Sequence, residues 1–400
     1  MDIEELNFLK SDGGRELLDQ YKDYGEADLH RLLLKASKEN LPHFPAVASL
    51  IKLRKKAEGK FSKSREMFFT SYGLEQSTDE KISELIAARF KKDWKVVDLT
   101  CGIGGNLISL AKNSQKVVAI DTDQVNLECA KENAKVYGVD GNIEFVLGNA
   151  FDNIPEDVDA FFIDPSRMRE GKTKTRSFLN SEPNILKMMD FIFKETKNLC
   201  VKISPAFDYG EIKLFSEVPE IEIISDDNVC KVALLWFGEF KTCERRATCI
   251  VGNKIHSLTD GAGVQRAEIL AKPLNYIYEP NKAISKAHLV NELAERHGLY
   301  KISPKVSFLT SDELIIGEEK SLFRIFKVTH QDKFSLKKLE GALKDRNINR
   351  ANIIIKKFPL KPEDLYKKIK IKEGGEVFII IMPLKDDEHY FILAERVGMK

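Results

Sequence analysis

Val96-Val97-Asp98-Leu99-Thr100-Cys101-Gly102-Ile103-Gly104-Gly105-Asn106 decides the fold. A β-branched apolar run enters a glycine-rich turn, and Leu107, Ile108, Leu110 and Ala111 then carry an amphipathic helix. Strand, glycine turn and helix in that order open an α/β sheet whose ligands bind at the carboxyl ends of the strands. Glycines there let the backbone approach a ligand closely. Glycine also serves tight turns with no ligand, so the turn alone leaves both readings open.

Outward from it, short β-rich runs at 95–99, 116–120, 143–147, 160–163 and 199–203 alternate with helical stretches. That alternation predicts a Rossmann-like parallel sheet with helices on both faces. After Pro219 the runs 221–224, 232–237 and 247–251 follow without helices and predict an antiparallel edge. Upstream, Leu32, Leu33, Leu34 and Ala36, then Ile82, Leu85, Ile86 and Phe90, recur at helical spacing. Residues 1–88 thus read as a helical domain, with turns at Gly13-Gly14, Gly25 and Pro42 to Pro45. The sheet domain spans 89–252, and 253–282 reads as a connection with at most one short helix. Residues 283–400 read as a small α+β domain: helices at 284–297, 335–344 and 362–369, and strands at 305–309, 322–328, 352–356, 377–382 and 390–395.

Hydrophobic residues at 43% and charged residues at 31% exclude a disordered chain and a coiled coil. Lys and Arg total 63 against 62 acids, so only local clustering can mark a nucleic-acid partner. The six cysteines form no C-x-x-C and have no His-rich neighbour, which argues against zinc, and no metal is expected. Met-Asp-Ile-Glu-Glu lacks the basic start of a signal peptide, and no apolar run approaches the ~18 residues of a membrane span. A cytoplasmic protein without membrane contact is the expectation.

Two further strand ends carry polar chemistry. Asp121 closes Val117-Val118-Ala119-Ile120-Asp121-Thr122-Asp123, where a carboxylate can accept both ribose hydroxyls of an adenosine cofactor. The competing reading is an acidic helix N-cap, which Asp123 can supply by itself. Phe161-Phe162-Ile163-Asp164-Pro165-Ser166-Arg167-Met168 is an apolar strand ending in Asp-Pro.

Together with Glu132-Asn133-Ala134, Tyr137-Gly138-Val139 and Gly148-Asn149-Ala150, these motifs resemble class I S-adenosylmethionine-dependent methyltransferases. The likeness is to the branch holding trimethylguanosine synthase and related RNA methyltransferases, and it covers about residues 70 to 250. It implies S-adenosyl-L-methionine as cofactor, with Asp98, Gly102 and Gly104 around the methionine end and Asp121 on the ribose. It sets Asn149 and Ala150 beside the adenine, with Cys101, Asn106 and Thr122 among the contacts. Leu74-Glu75-Gln76-Ser77-Thr78 resembles the family's upstream Thr-Pro-Glu element, which implies that Thr78 lies near the cofactor.

Asp164-Pro165-Ser166-Arg167 resembles the (Asp/Asn)-Pro-Pro-(aromatic) element that methylates base nitrogens, with Ser166 for the second proline and Arg167 for the aromatic residue. A guanidinium plane can stack on a base. The quartet also resembles the Asp-Pro-Pro-Arg of 5-methyluridine methyltransferases, which need a cysteine before a later proline. Here that position reads Lys202-Ile203-Ser204-Pro205, with Cys200 set back, which disfavours carbon methylation.

Three basic clusters favour a phosphate backbone as partner. Lys52 to Arg65 holds seven Lys or Arg and one acid, Arg167 to Arg176 five and one, and Lys333 to Lys372 thirteen and four. The C-terminal part, in Tyr278-Glu279-Pro280 and Ala283, resembles THUMP-like domains, which implies RNA binding. The expected function is therefore methylation of a base nitrogen in RNA. The rivals are a nicotinamide-dependent dehydrogenase, which the missing later glycine of G-x-G-x-x-G opposes, a noncatalytic RNA-binding protein, and a methyltransferase with another substrate.

Overall fold

The structure is a computed structural model that describes residues 1–398 except 26, 27, 29, 30, 32, 34–42, 168, 171, 172, 175, 176, 178 and 179. The helical expectation at Leu32, Leu34 and Ala36, with the turn at Pro42, lies outside the described residues. The chain forms two compact units: residues 1–219 with 234–242, and 220–233 with 243–400.

In the first unit the strands Ile143–Leu147, Lys116–Asp121, Lys95–Asp98, Ala160–Ile163 and Leu199–Ile203 pair in that order, all parallel. Ala160–Ile163 is buried throughout, as expected for a strand covered on both faces. Asp123 caps the helix Gln124–Tyr137, and Gly138 at φ 70 ends it. Ahead of the sheet the helices Ile3–Lys10, Asp12–Tyr21, Phe44–Lys56, Ser71–Gln76 and Glu80–Ala87 agree with the helical reading, except that Gly13-Gly14, read as a turn, lies in the first turn of Asp12–Tyr21, which Ser11 caps. They share one apolar cluster with the sheet's own helices, in which Leu50, Phe68 and Phe69 meet Ile103, Ile108 and Cys129. Fully buried Asn133 ties the two together. Its Oδ1 accepts from Phe68 N–H at 2.7 Å, and its Nδ2 donates to Phe68 O at 3.0 Å and Ile103 O at 2.9 Å.

The second unit departs from expectation in several places. Glu220–Asp226 turns through Asp227 and Asn228, both at positive φ, into Val229–Trp236. The strand Arg245–Val251, expected to be antiparallel, pairs parallel with Glu220–Asp226. The antiparallel edge is Lys254–Thr259, inside the stretch read as a connection. Gly252 at φ 57 followed by Asn253 is a hairpin signal that the composition of 253–282 obscured. A further strand there, Tyr276–Pro280, pairs with Phe323–Lys333. The 284–297 helix is broken into Lys282–Lys286 and Val290–His297 by His288 at φ 62. The strand expected at 305–309 lies instead at Leu309–Ser311, and Lys305 N–H goes to Ser303 Oγ.

The remaining elements follow the sequence reading. Phe323–Lys333, His389–Arg396, Lys372–Pro383 and Arg350–Ile355 are consecutive sheet neighbours, the last pair parallel. Period-two alternation sorts their side chains. Phe378, Ile380 and Met382 enter one core, while Ile379 and Ile381 meet Leu339, Leu343, Leu365 and Ile369 from the helices Leu336–Asp345 and Pro362–Ile369.

Candidate active site

The strand Lys95–Asp98 delivers Asp98 to a position 1% exposed. Its Oδ1 accepts from Thr100 N–H at 3.2 Å, while Oδ2 is buried with no hydrogen-bond partner. Burial, reinforced by the neighbouring Asp164 and Asp121 carboxylates, pushes its pKa up to about 8. An unpartnered buried carboxyl is costly, and a cationic ligand group would relieve it. Thr78 Oγ1 is the second orphan: the residue is 3% exposed and its hydroxyl has no partner. It adjoins the glycine turn, since a Cβ on Gly105 would lie 3.3 Å from Thr78 N.

Gly102, at φ +53, faces open space, because a Cβ there would meet nothing within 4 Å. Its N–H donates to Asp121 Oδ2 at 2.7 Å, and Asp121 Oδ1 accepts from Asp123 N–H at 2.8 Å. Burial raises the Asp121 pKa. The N-cap role belongs to Asp123, which accepts from Val125 and Asn126 N–H, and Asp121, which also meets the Thr122 backbone, keeps a free acceptor site. Gly104, at φ +93, lets the turn pack on Ala130. Cys101 is buried, its thiol pKa raised by burial, and Asn106 Oδ1 accepts from Ser83 Oγ at 3.0 Å. Thr122 is exposed. Ala150 is buried, but the Asn149 oxygen expected to meet adenine accepts from Phe151 N–H at 2.9 Å as a local cap. A ligand there would share that oxygen's second acceptor site.

The neighbouring strand ends place Asp164 between two supports. Its N–H donates to Thr100 Oγ1 at 2.8 Å, and its Oδ2 accepts from Lys202 Nζ. Pro165 follows, and Ser166 and Arg167 pair antiparallel with Glu182 and Ser181. Ser166 Oγ donates to Glu182 O at 3.2 Å. The Arg167 side chain lies outside the described residues, as do those of the basic run to Arg176. Cys200 is fully buried within its strand. Sequence reasoning quoted Lys202 and Asn133 within longer motifs and gave neither a role. The only signal for Lys202 was a lysine inside an otherwise apolar strand, Leu199–Ile203.

The basic clusters divide. Between Lys52 and Arg65, Arg54 donates to Met67 O and Glu66 O, Lys60 to Leu74 O, Lys63 to Val136 O and Lys55 to Tyr24 O, while Arg65 pairs with Glu58. Most of that run braces the helices. Between Lys333 and Lys372, Lys333 pairs with Glu388, Lys338 with Asp332 and Lys356 with Glu279. Seven of the remaining ten gather at one edge. Both helices end where the parallel strands Arg350–Ile355 and Lys372–Pro383 begin, so Lys344, Arg346, Arg350, Lys367, Lys368, Lys370 and Lys372 share that edge, all exposed. Among the described residues no cluster of His, Cys, Asp or Glu could hold a metal ion, and no helix is long and apolar enough to cross a membrane.

Residues 94–208 match the family described as RNA cap guanine-N2 methyltransferase, residues 276–317 a ferredoxin-like domain and residues 323–396 a THUMP domain-like family. An uncharacterised S-adenosylmethionine-dependent methyltransferase of Mycobacterium tuberculosis is 25% identical over 340 residues, 82% of this chain and 90% of that one. The 23S rRNA (uracil(1939)-C(5))-methyltransferase of Burkholderia pseudomallei is 38% identical over 79 residues, 18% of this chain and 17% of its own. A Porphyromonas gingivalis W83 protein solved as a methyltransferase candidate aligns over 100% of both chains with a TM-score of 0.78 at 19% identity, a likeness of fold.

Proposed function

We infer that this chain, a methyltransferase with RNA-methyltransferase-like and THUMP-like regions, transfers a methyl group from S-adenosylmethionine to a nitrogen of an RNA base in the cytoplasm. The observation that carries the reading is the pair of buried orphans, Asp98 Oδ2 and Thr78 Oγ1, beside the open cradle at Gly102. Those groups suit the cofactor: Asp98 accepts from its ammonium group, Asp121 accepts from its ribose hydroxyls, and Thr78 offers a further polar contact. Cys101, Gly104, Asn106, Thr122, Asn149 and Ala150 complete the proposed pocket. Bound there, S-adenosylmethionine would supply an electrophilic methyl carbon whose leaving group is the neutral thioether.

Asp164 orients the target nitrogen by accepting its N–H, and the proton freed after transfer leaves through that carboxylate to solvent. Arg167 holds base or phosphate. Carbon methylation would need a thiolate nucleophile. Cys200 is fully buried, and Ser204 precedes Pro205 where the cysteine would stand.

RNA as substrate is supported by the basic edge of the second unit, where seven exposed cations suit phosphates. The test is Asp164→Ala. Cofactor affinity by calorimetry should stay within a few-fold, while turnover on host RNA, read by nucleoside mass spectrometry, falls by about 10² or more. A parent protein that binds cofactor but methylates no RNA pool would instead be a binding protein on a methyltransferase fold.

A further inference from the structure

Lysine is rarely enclosed unless paired, because removing an ammonium group from water is costly. Lys202 lies in Leu199–Ile203, whose other four residues are buried, and its own side chain is only 12% exposed. Its Nζ bonds Asp164 Oδ2, and the Asp164 side chain is 24% exposed. The strands carrying the two residues are parallel neighbours, with Ile163 opposite Val201. The next residue on each strand therefore emerges at the same carboxyl edge, beside the Asp98 site.

We propose that Lys202 is the positioning residue for Asp164, fixing its carboxylate so that the second oxygen faces the target nitrogen. The assignment rests on the nitrogen-methylation reading above. Three contacts define the arrangement. Thr100 Oγ1 fixes the Asp164 backbone through its N–H, Lys202 occupies Oδ2, and Oδ1 remains as the acceptor for an amino hydrogen. Without the lysine the carboxylate can rotate about its side-chain bonds and stands next to the buried Asp98 with its charge unopposed. With it, the carboxylate presents one acceptor along one direction, which is what in-line attack requires. Lys202 touches no reacting atom in this scheme, so its removal lowers the rate through Asp164 alone.

The experiment compares Lys202→Met, Lys202→Arg, Asp164→Ala and the Lys202→Met/Asp164→Ala double variant in the full chain, using host RNA and S-adenosylmethionine. Lys202→Met should lower kcat by about tenfold or more while KM for RNA stays within about threefold. Lys202→Arg should recover most of the loss. The double variant should be no slower than Asp164→Ala, because both act through one group. Calorimetry with S-adenosylhomocysteine, which needs no turnover, should give an unchanged affinity for Lys202→Met. Should Lys202→Met fail to fold, Lys202→Leu, which likewise cannot donate to Asp164, takes its place. Parental kcat in Lys202→Met, or multiplied losses in the double variant, would overturn the assignment. So would a large loss of S-adenosylhomocysteine affinity, which would make Lys202 part of the cofactor pocket. A parent that binds S-adenosylhomocysteine but methylates no RNA refutes the function reading instead, a result distinct from a parent that methylates equally well without Lys202.

Discussion

Replacing Asp98 by Asn should stabilise the empty protein while impairing it as an enzyme. The folded carboxyl keeps its proton up to about pH 8, whereas the ordinary value is 3.8. Between those values the folded state holds a proton that the unfolded chain releases, so stability falls as pH rises through the window and levels off above it. At pH 7 the cost is the interval from 3.8 to 7 at about 1.4 kcal/mol per unit, on the order of 4 kcal/mol. A neutral amide in place of the carboxyl would carry no such cost. Thermal melting of the empty Asp98→Asn variant at pH 7 should therefore rise by several degrees, and its stability should depend less on pH between 4 and 8. In the parent, pairing with the cofactor's ammonium ionises Asp98, so binding near pH 7 should release close to one proton. Calorimetry in two buffers of different ionisation enthalpy reads that proton, and the variant should lack it. A variant no more stable than the parent at pH 7, together with parental binding heats that do not depend on buffer, would refute the argument.

Asp121→Ala should weaken S-adenosylhomocysteine binding by about 1–3 kcal/mol, since the ribose hydroxyls and the Gly102 N–H lose one charged acceptor; calorimetry decides, and unchanged affinity would leave Asp121 only the turn to hold. Asn133→Ala should lower stability by about 2–4 kcal/mol in denaturant titration, because the Phe68 N–H and the Phe68 and Ile103 carbonyls lose their partner in the core. The Lys367→Ala/Lys368→Ala/Lys370→Ala triple variant should flatten the salt dependence of RNA binding, by roughly 0.7 in log-log slope per lost single-strand phosphate contact. Lys356→Ala is the matched control, since its ammonium already pairs with Glu279 and should add little to that slope.

The motifs were legible because their signals are local. Strand, glycine turn and helix follow from neighbouring residues, and strands of a parallel sheet end at one edge, so Asp98, Asp121 and Asp164 could be assigned to that edge from their places after apolar runs. The same locality served the C-terminal helices, where Pro362 begins a helix and apolar spacing marks its buried face. What failed depended on partners distant in the chain. No local feature says that Arg245–Val251 pairs parallel with Glu220–Asp226, or that the edge strand is Lys254–Thr259.

The same limit applies to charge and polarity. A run of lysines reads identically whether its members meet carbonyls, as Lys60 and Lys63 do, or face solvent, as Lys367 and Lys368 do. Asn133 resembles any helix amide until Phe68, 65 residues away, comes within 2.7 Å. Lys202 and Asp164 stand 38 residues apart and meet only because their strands are neighbours. The sequence determined which residues end the five parallel strands of the first unit, since turn chemistry and strand period are written in adjacent residues. Tertiary structure alone decided which charges are matched and which remain available, because the energy of a buried charge depends on what surrounds it in space.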